Sequence, residues 1–258
     1  MRLSLAAALV LAAVGPATAD LPEAKARGRL EVLFVPGSPE FVDVEKHSGF
    51  DMEIVEGFAR LHRLDVAWVP IKSWDLLLST LNEGAGDLAA GGITATAARQ
   101  KIVRFTADVF PSRHVMVTRR PHRMLHTALE LRQERVGTIR GTSIAEVVAL
   151  AGVTPANIDD TFASGGLPAA LRDGRITATV LGVEDALVAQ RSDSALQLGG
   201  FLGPREGLAF ALRPRDGASL AALDEYIANL RRTPSWNRLV VKYFGDVALE
   251  ILRNAQKE

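Results

Sequence analysis

Gly91-Gly92-Ile93-Thr94-Ala95-Thr96-Ala97-Ala98-Arg99-Gln100-Lys101-Ile102-Val103-Arg104-Phe105-Thr106 is the stretch on which the reading of this chain turns. The leading glycines let backbone approach a ligand closely, and the threonine hydroxyls are ready hydrogen-bond donors. The guanidinium of Arg99 is a planar fork that matches a carboxylate with two parallel hydrogen bonds. Gly92, Thr94 and Arg99 are therefore a candidate cradle for a small anion. Taken alone, the pattern also fits a solvated or helix-end arginine after a loop.

Upstream of this loop, strand and helix patterns alternate. Leu30 to Val35 is a short apolar run that stops at Pro36-Gly37. Ile54, Val55, Phe58 and Leu61 recur at helical spacing after Gly49-Phe50-Asp51, and Val66 to Val69 is the next strand. Trp74, Leu77, Leu78 and Leu81 form a second helical stripe ending at Gly84, after which Asp87 to Ala90 leads into the glycine-threonine loop. This alternation predicts an α/β sheet with helices on its faces.

Downstream the pattern starts again. His114 to Thr118 reads as an apolar crossing segment, and Val136 to Ile139 as a strand followed by Gly141-Thr142-Ser143 and a helix to about Leu150. Ser143 with Glu146 three residues on is a capping-box pattern, and such a helix start offers free N–H groups to a carboxylate or phosphate. Thr142 and Ser143 are thus candidate ligand contacts or, equally, an ordinary N-cap. Leu167 to Leu171, Asp173-Gly174 and Ala178 to Leu181 echo Leu77 to Leu81, Glu83-Gly84 and Asp87 to Ala90. Leu208 to Leu212 reads as a second crossing strand. Two helices close the pattern, one carrying Leu220, Leu223, Ile227 and Leu230, the other opened by Pro234 and ended by Gly245. The expected organisation is a first lobe of residues 20–115 plus 208–258 and a second of 116–207.

Residues 1–19 have the three parts of a secretory signal: Arg2, the apolar run Leu5 to Val14, and Ala17-Thr18-Ala19 as a cleavage site. The expected location is the periplasm. The chain has no cysteine, which excludes thiol catalysis and thiolate metal sites. Its 30 basic and 30 acidic residues balance, so no global field favours nucleic acid or an anionic membrane. His122 and His126 share i, i+4 spacing in a basic segment with no acidic third ligand near in sequence, so no metal site is expected. No phosphate-binding glycine motif or serine-nucleophile motif occurs, and no cofactor is expected.

In their order these pieces resemble the bacterial extracellular solute-binding proteins that include the polar amino-acid-binding proteins. The resemblance runs through Pro39-Glu40-Phe41, Gly49-Phe50-Asp51, Trp74-Asp75-Leu76-Leu77, Thr94 to Thr106, Gly141-Thr142-Ser143, Gly174-Arg175-Ile176 and Lys242-Tyr243-Phe244-Gly245. It implies a two-lobed periplasmic-binding-protein fold of type II, with a cleft between lobes joined by two crossing strands. It further implies that Arg99 clamps the ligand's α-carboxylate, that Thr94 bonds its polar head, and that Ser143 donates from the other lobe. Trp74 and Phe41 are candidate walls, although Trp74 fits core packing equally. The departure is Gly182, where amino-acid binders usually carry an aspartate for the ligand's ammonium. Glu184 or Asp185 could substitute, but both also suit the first turn of a following helix. With no substitute, an unpaired ammonium would lose its hydration uncompensated, and a deaminated acid would bind better than the matching amino acid.

The expected function is capture of a small carboxylate-bearing solute, an amino acid or organic acid, for an ABC importer by hinged lobe closure, with the protein a monomer and not an enzyme. One alternative is an accessory periplasmic protein of an alcohol-oxidising quinoprotein system that keeps the fold but binds a protein partner. The other is a cyclohexadienyl dehydratase-like enzyme, for which Asp108, His114 and Glu184 are the candidate acids. A kinase sensor or lytic transglycosylase front domain is not expected, since the sequence shows no second domain or membrane helix.

Overall fold

Val32 and Phe34 belong to one hydrophobic core, and Leu33 and Val35 to another. That alternation is what a strand buried on both faces requires, and it explains why this run is apolar at every other step as well. The computed structural model in which this is seen describes residues 21–249. The expected signal segment, 1–19, and the end of the expected first lobe, 250–258, lie outside the described residues.

The chain runs α1 (Leu21–Arg27), β1 (Arg29–Phe34), α2 (Phe50–Leu61), β2 (Asp65–Pro70), α3 (Trp74–Asn82), β3 (Leu88–Ala89), a 3-10 turn (Arg99–Lys101), β4 (Arg104–Phe105) and β5 (Phe110–Arg119). It continues with α4 (Ala128–Leu131), β6 (Val136–Gly137), α5 (Ser143–Leu150), a second 3-10 turn (Pro155–Asn157), β7 (Ile158–Asp159), α6 (Leu167–Arg172) and β8 (Ala178–Gly182). The last elements are α7 (Val183–Ser192), β9 (Leu196–Leu208), β10 (Ala211–Leu212), α8 (Gly217–Arg231) and α9 (Pro234–Phe244).

Two five-stranded sheets result, ordered β2-β1-β3-β10-β4 and β7-β6-β8-β5-β9. In the first, β1 runs parallel to β2 and β3, with Val32 opposite both Trp68 and Leu88, while β10 is antiparallel. In the second, β8 lies parallel to β6 and antiparallel to β5. The fold is thus a two-lobed α/β architecture with one sheet per lobe.

His114 to Thr118 lies inside the second sheet, in the part of β5 that follows its passage from the first core at Phe110 to the second at Val115. β5 pairs with β8 on one side and β9 on the other, and Val115, Met116 and Val117 are buried in the second core. An apolar run with sheet partners on both edges leaves no backbone group unsatisfied, so it belongs inside the sheet. The chain changes sheet between β4 and β5 and returns between Leu208 and Ala211. The 13-residue strand β9 has no counterpart in the sequence reading, because its run Leu196 to Leu208 carries four glycines and a proline. It forms because β5 supplies nearly its whole length with partners, through two register irregularities. At Gly199 and Gly200 a side chain would meet the carbonyls of Leu125 and His126, at 2.0 and 2.3 Å.

Phe50, the first residue of α2, anchors the larger core. Its ring lies 5.0 Å from that of Phe244, 5.6 Å from Trp236 and 6.2 Å from Phe110, so α2, α9 and the start of β5 meet on one residue. Such tilted and edge-on pairs add to area burial. Truncating Phe50 leaves a cavity among rigid rings. Phe50→Ala is therefore expected to lower the unfolding free energy by about 3–5 kcal/mol, read from denaturant titration with an unchanged m-value.

Candidate functional site

A cavity of about 330 Å³ lies between the lobes, at the small end of the range for ligand pockets. It brings together Gly92, Thr94, Trp74 and Arg99 of the first lobe with Thr142, Ser143, Glu184 and Asp185 of the second. Eight of the nine residues picked out from the sequence therefore line one space. Phe41 does not. It is 2 % exposed in the first core, 5.5 Å from the Phe244 ring, and sits directly behind Gly92. A large ring at this point packs the floor of the loop instead of facing the cavity.

The loop that holds Thr94 and Arg99 is fixed from beneath. Asp51, 1 % exposed, accepts the backbone N–H groups of both Gly91 and Gly92 through Oδ2, at 2.8 and 2.9 Å. Burial pushes its carboxyl up to about 6, against the pull of those two bonds. From the other side, Ala95 N–H donates to the Gly207 carbonyl and Ala209 N–H to the Ile93 carbonyl. The loop is thus clamped between α2 and the end of β9.

Arg99 is buried, at 7 % exposure. Its Nη1 donates to the Thr94 carbonyl at 3.1 Å and its Nη2 to the Gly141 carbonyl of the other lobe at 2.9 Å, with Glu146 at 3.8 Å from Nε. Burial lowers its pKa, an effect opposed by Glu146 and Glu206. Gly141 has φ 76°, and a Cβ there would lie 2.3 Å from the Asp75 backbone nitrogen, so only glycine lets the lobes approach this closely. Two further hydrogen bonds cross the cleft: Trp74 Nε1 to Ser164 Oγ at 2.8 Å, and Ser143 Oγ to Thr94 Oγ1 at 3.0 Å.

The helix-start reading of Ser143 needs correction. The N-cap of α5 is Thr142, whose Oγ1 accepts the Ala145 N–H, and Ser143 is the first helical residue. Glu146 lies by Arg99 instead of closing a capping box. This leaves the Ser143 hydroxyl for the cavity, where it also meets His114 Nε2 at 3.0 Å. Burial, and secondarily the Arg99 charge, lowers the His114 pKa to about 4, so the imidazole is neutral at neutral pH and its 3.7 Å approach to Glu206 is not an ion pair.

Gly182 is where sequence and structure differ most. A Cβ at position 182 would lie 2.0 Å from Glu184 Oε1, so the Glu184 carboxylate occupies the volume a side chain at 182 would need. Glu184 is 3 % exposed, and its Oε2 accepts from Ser112 Oγ at 2.7 Å. Asp185 and Glu40 line the same cavity. Burial first, then the Glu40 charge, pushes the Glu184 carboxyl up to about 7 against the Ser112 bond. Asp185 is raised well above the usual carboxylate range by burial and by the charges of Glu184 and Glu40, and burial also raises Glu40. The space beside Gly182 is therefore not empty of a carboxyl group: Glu184 fills it, with Asp185 and Glu40 in the same cavity. Glu40, His114 and Ser112 were not among the ligand contacts picked from the sequence. The only local signal was the pairing of Gly182 with an acid two residues later.

Residues 32–246 match the family model of bacterial extracellular solute-binding proteins, family 3, and the chain belongs to that family. Among solved structures it is similar to holo ArgBP from T. maritima, at 26 % identity and a TM-score of 0.73 over 86 % of this chain and 99 % of that one. A second similar structure is the ancestral amino acid-binding protein AncCDT-1, a precursor of cyclohexadienyl dehydratase, at 22 % identity and a TM-score of 0.77 over 87 % and 99 %. A probable histidine-binding protein of Neisseria gonorrhoeae is 21 % identical over 92 % of both chains. The membrane-bound lytic murein transglycosylase F of Stutzerimonas stutzeri (strain A1501) is 25 % identical over 93 % of this chain, which spans about half, 51 %, of its length. Among the described residues no helix is long and apolar enough to cross a membrane, and no group of three or more histidine or acidic side chains is placed to hold a metal ion.

A carboxyl raised in the native state ties stability to pH. Glu184 binds a proton in the folded chain up to about pH 7, whereas its ordinary value is 4.5. Its contribution is full below pH 4.5 and is lost as pH rises through about 7. Glu184→Gln, neutral at every pH, should flatten the fall of Tm across that window in a thermal melt, with the slope from Asp51 remaining.

Proposed function

We propose that this chain captures an α-amino acid in the periplasm and, as a monomer, delivers it to the membrane subunits of an ABC importer. The observation that carries this reading is one interlobe cavity holding both a buried guanidinium, Arg99, and a buried carboxyl group, Glu184, partners for the two charges of a zwitterion. Arg99 takes the α-carboxylate with the N–H groups it does not give to the Thr94 and Gly141 carbonyls, helped by the hydroxyls of Thr94, Thr142 and Ser143. Glu184 takes the ammonium, from the position a side chain at 182 would fill. Trp74 walls the site. The named amino acids of similar proteins, arginine and histidine, support the same class of solute.

Closure is a hinge motion at the two points where the chain changes sheet. Its seam is formed by the Arg99–Gly141, Trp74–Ser164 and Ser143–Thr94 hydrogen bonds. A polar cavity of this kind suits a small solute. A second reading, a dehydratase-like lyase, is favoured by one observation: the Glu184 carboxyl, pushed to about 7, holds a transferable proton beside a carboxylate-binding arginine.

A thermal-shift screen against amino acids, organic acids and prephenate separates these. Amino acids raise Tm by mass action if the transport reading holds; prephenate turnover without such a shift supports the lyase; silence across the panel supports the docking protein. In calorimetry, Arg99→Lys keeps the charge but loses the fork and should weaken amino-acid binding by about 1–3 kcal/mol. Unchanged affinity in Arg99→Ala removes Arg99 from the site. Gly141→Ala, whose methyl would press on the Asp75 backbone, should weaken binding and abolish ligand-induced compaction in solution scattering.

A further inference from the structure

His114 lines the cavity, is buried, and has no part in the pairing of Arg99 and Glu184 with a zwitterion. It stands opposite Gly182 in the pairing of β5 with β8. Two hydrogen bonds run on from its ring in series. Nε2 lies 3.0 Å from Ser143 Oγ, and Ser143 Oγ lies 3.0 Å from Thr94 Oγ1 across the cleft. The Thr94 carbonyl is held by Arg99 Nη1, so the series ends beside the guanidinium. A hydroxyl has one proton to give, so the direction of the first bond fixes the direction of the rest. With the proton of the neutral imidazole on Nε2, Ser143 receives it and spends its own on Thr94, whose proton is left for the cavity. With the proton on Nδ1 the series turns round, and Thr94 meets the cavity with lone pairs only.

The surroundings of the ring set the direction. Nδ1 is buried and has no hydrogen-bond partner among the described residues, so a proton there would be an orphaned donor, whereas on Nε2 it makes a 3.0 Å bond. Glu206 Oε2, at 3.7 Å, would draw a proton to Nδ1, but it lies beyond hydrogen-bond reach, and burial raises its carboxyl towards the neutral form. Burial, and then the Arg99 charge, keeps a second proton off the ring. An anion held by Arg99 adds its own pull on a hydroxyl proton that points at it.

We propose that His114 is a positioning residue for the anion half of the site: donating from Nε2 through Ser143, it turns the Thr94 hydroxyl proton into the cavity, towards the carboxylate of the solute. This rests on the amino-acid reading of the cavity. Thr94 then adds a donor beside the Arg99 fork, and an ammonium placed there would meet donors only. Acting through two hydroxyls, His114 thus helps to decide which end of a zwitterion lies at Arg99 and which at Glu184.

Nitrogen NMR of the protein with isotope-labelled histidine rings reads the tautomer at neutral pH. The His114 signal, identified by its loss in His114→Gln, should be that of a neutral ring protonated at Nε2. A proton on Nδ1 overturns the proposal, whatever the protein binds. This is read on the unaltered protein and stands whether or not a variant folds. Calorimetry with the standard amino acids as probes measures the consequence. His114→Leu, which has no donor, should weaken the tightest-binding of them by about tenfold, the scale of one hydrogen bond. His114→Gln, whose amide N–H can stand in for Nε2–H, should recover most of that loss. Thr94→Val removes the end of the series, so adding His114→Leu to it should cost little more. Full additivity of those two losses, or a loss in His114→Gln equal to that in His114→Leu, overturns the positioning role and leaves the amino-acid reading intact. Absence of binding by every amino acid overturns the amino-acid reading, and the positioning role with it.

Discussion

Enclosing ionisable groups away from water is costly unless each finds a partner, and the cavity of this protein encloses one guanidinium and three carboxylates. Much of the surrounding structure answers that constraint. Arg99 is partnered by two backbone carbonyls from different lobes, Glu184 by the Ser112 hydroxyl, and Asp185 by Glu40. His114 meets the constraint in the other way, by remaining neutral. The carboxyls answer it in part as His114 does, since burial raises all three of them towards their neutral form.

The scaffold's part is to hold these groups still. Asp51 reaches from the start of α2 to the N–H groups of Gly91 and Gly92, and β9 grips the far side of the same loop. Asp51 is itself a buried acid with a raised carboxyl, so the loop's position carries its own energetic cost, offset by two charge-assisted bonds. Phe50, next to it in the chain, ties the same helix start into the aromatic core with α9 and β5. One dipeptide thus couples the packing of the first lobe to the geometry of the ligand loop.

The first lobe was largely legible because its signals are local. The alternation in β1, the helical stripes of α2 and α3, and the glycine-led threonine loop before Arg99 all lie within short windows, and each element forms where its period places it. The second sheet was less legible. Its long strand β9 is written in glycines that read as a loop, and His114 to Thr118 carries an apolar pattern that fits a crossing segment as well as a sheet interior. Pairing between residues some 80 to 100 positions apart decided both, and no local window contains it.

At the site the division is the same. Residue types and order determined the family, the anion-binding loop around Arg99, and the helix start at Thr142 and Ser143. They also exposed the anomaly at Gly182. Tertiary structure alone decided that Phe41 backs the loop and leaves the cavity wall to others, and that Thr142 and not Ser143 caps α5. It also decided that Glu40, nearly 150 residues before Glu184 and Asp185, joins them in one enclosed space. The physical reason is that a side chain's charge is written in the sequence, whereas its desolvation and its neighbours are set by what folds against it.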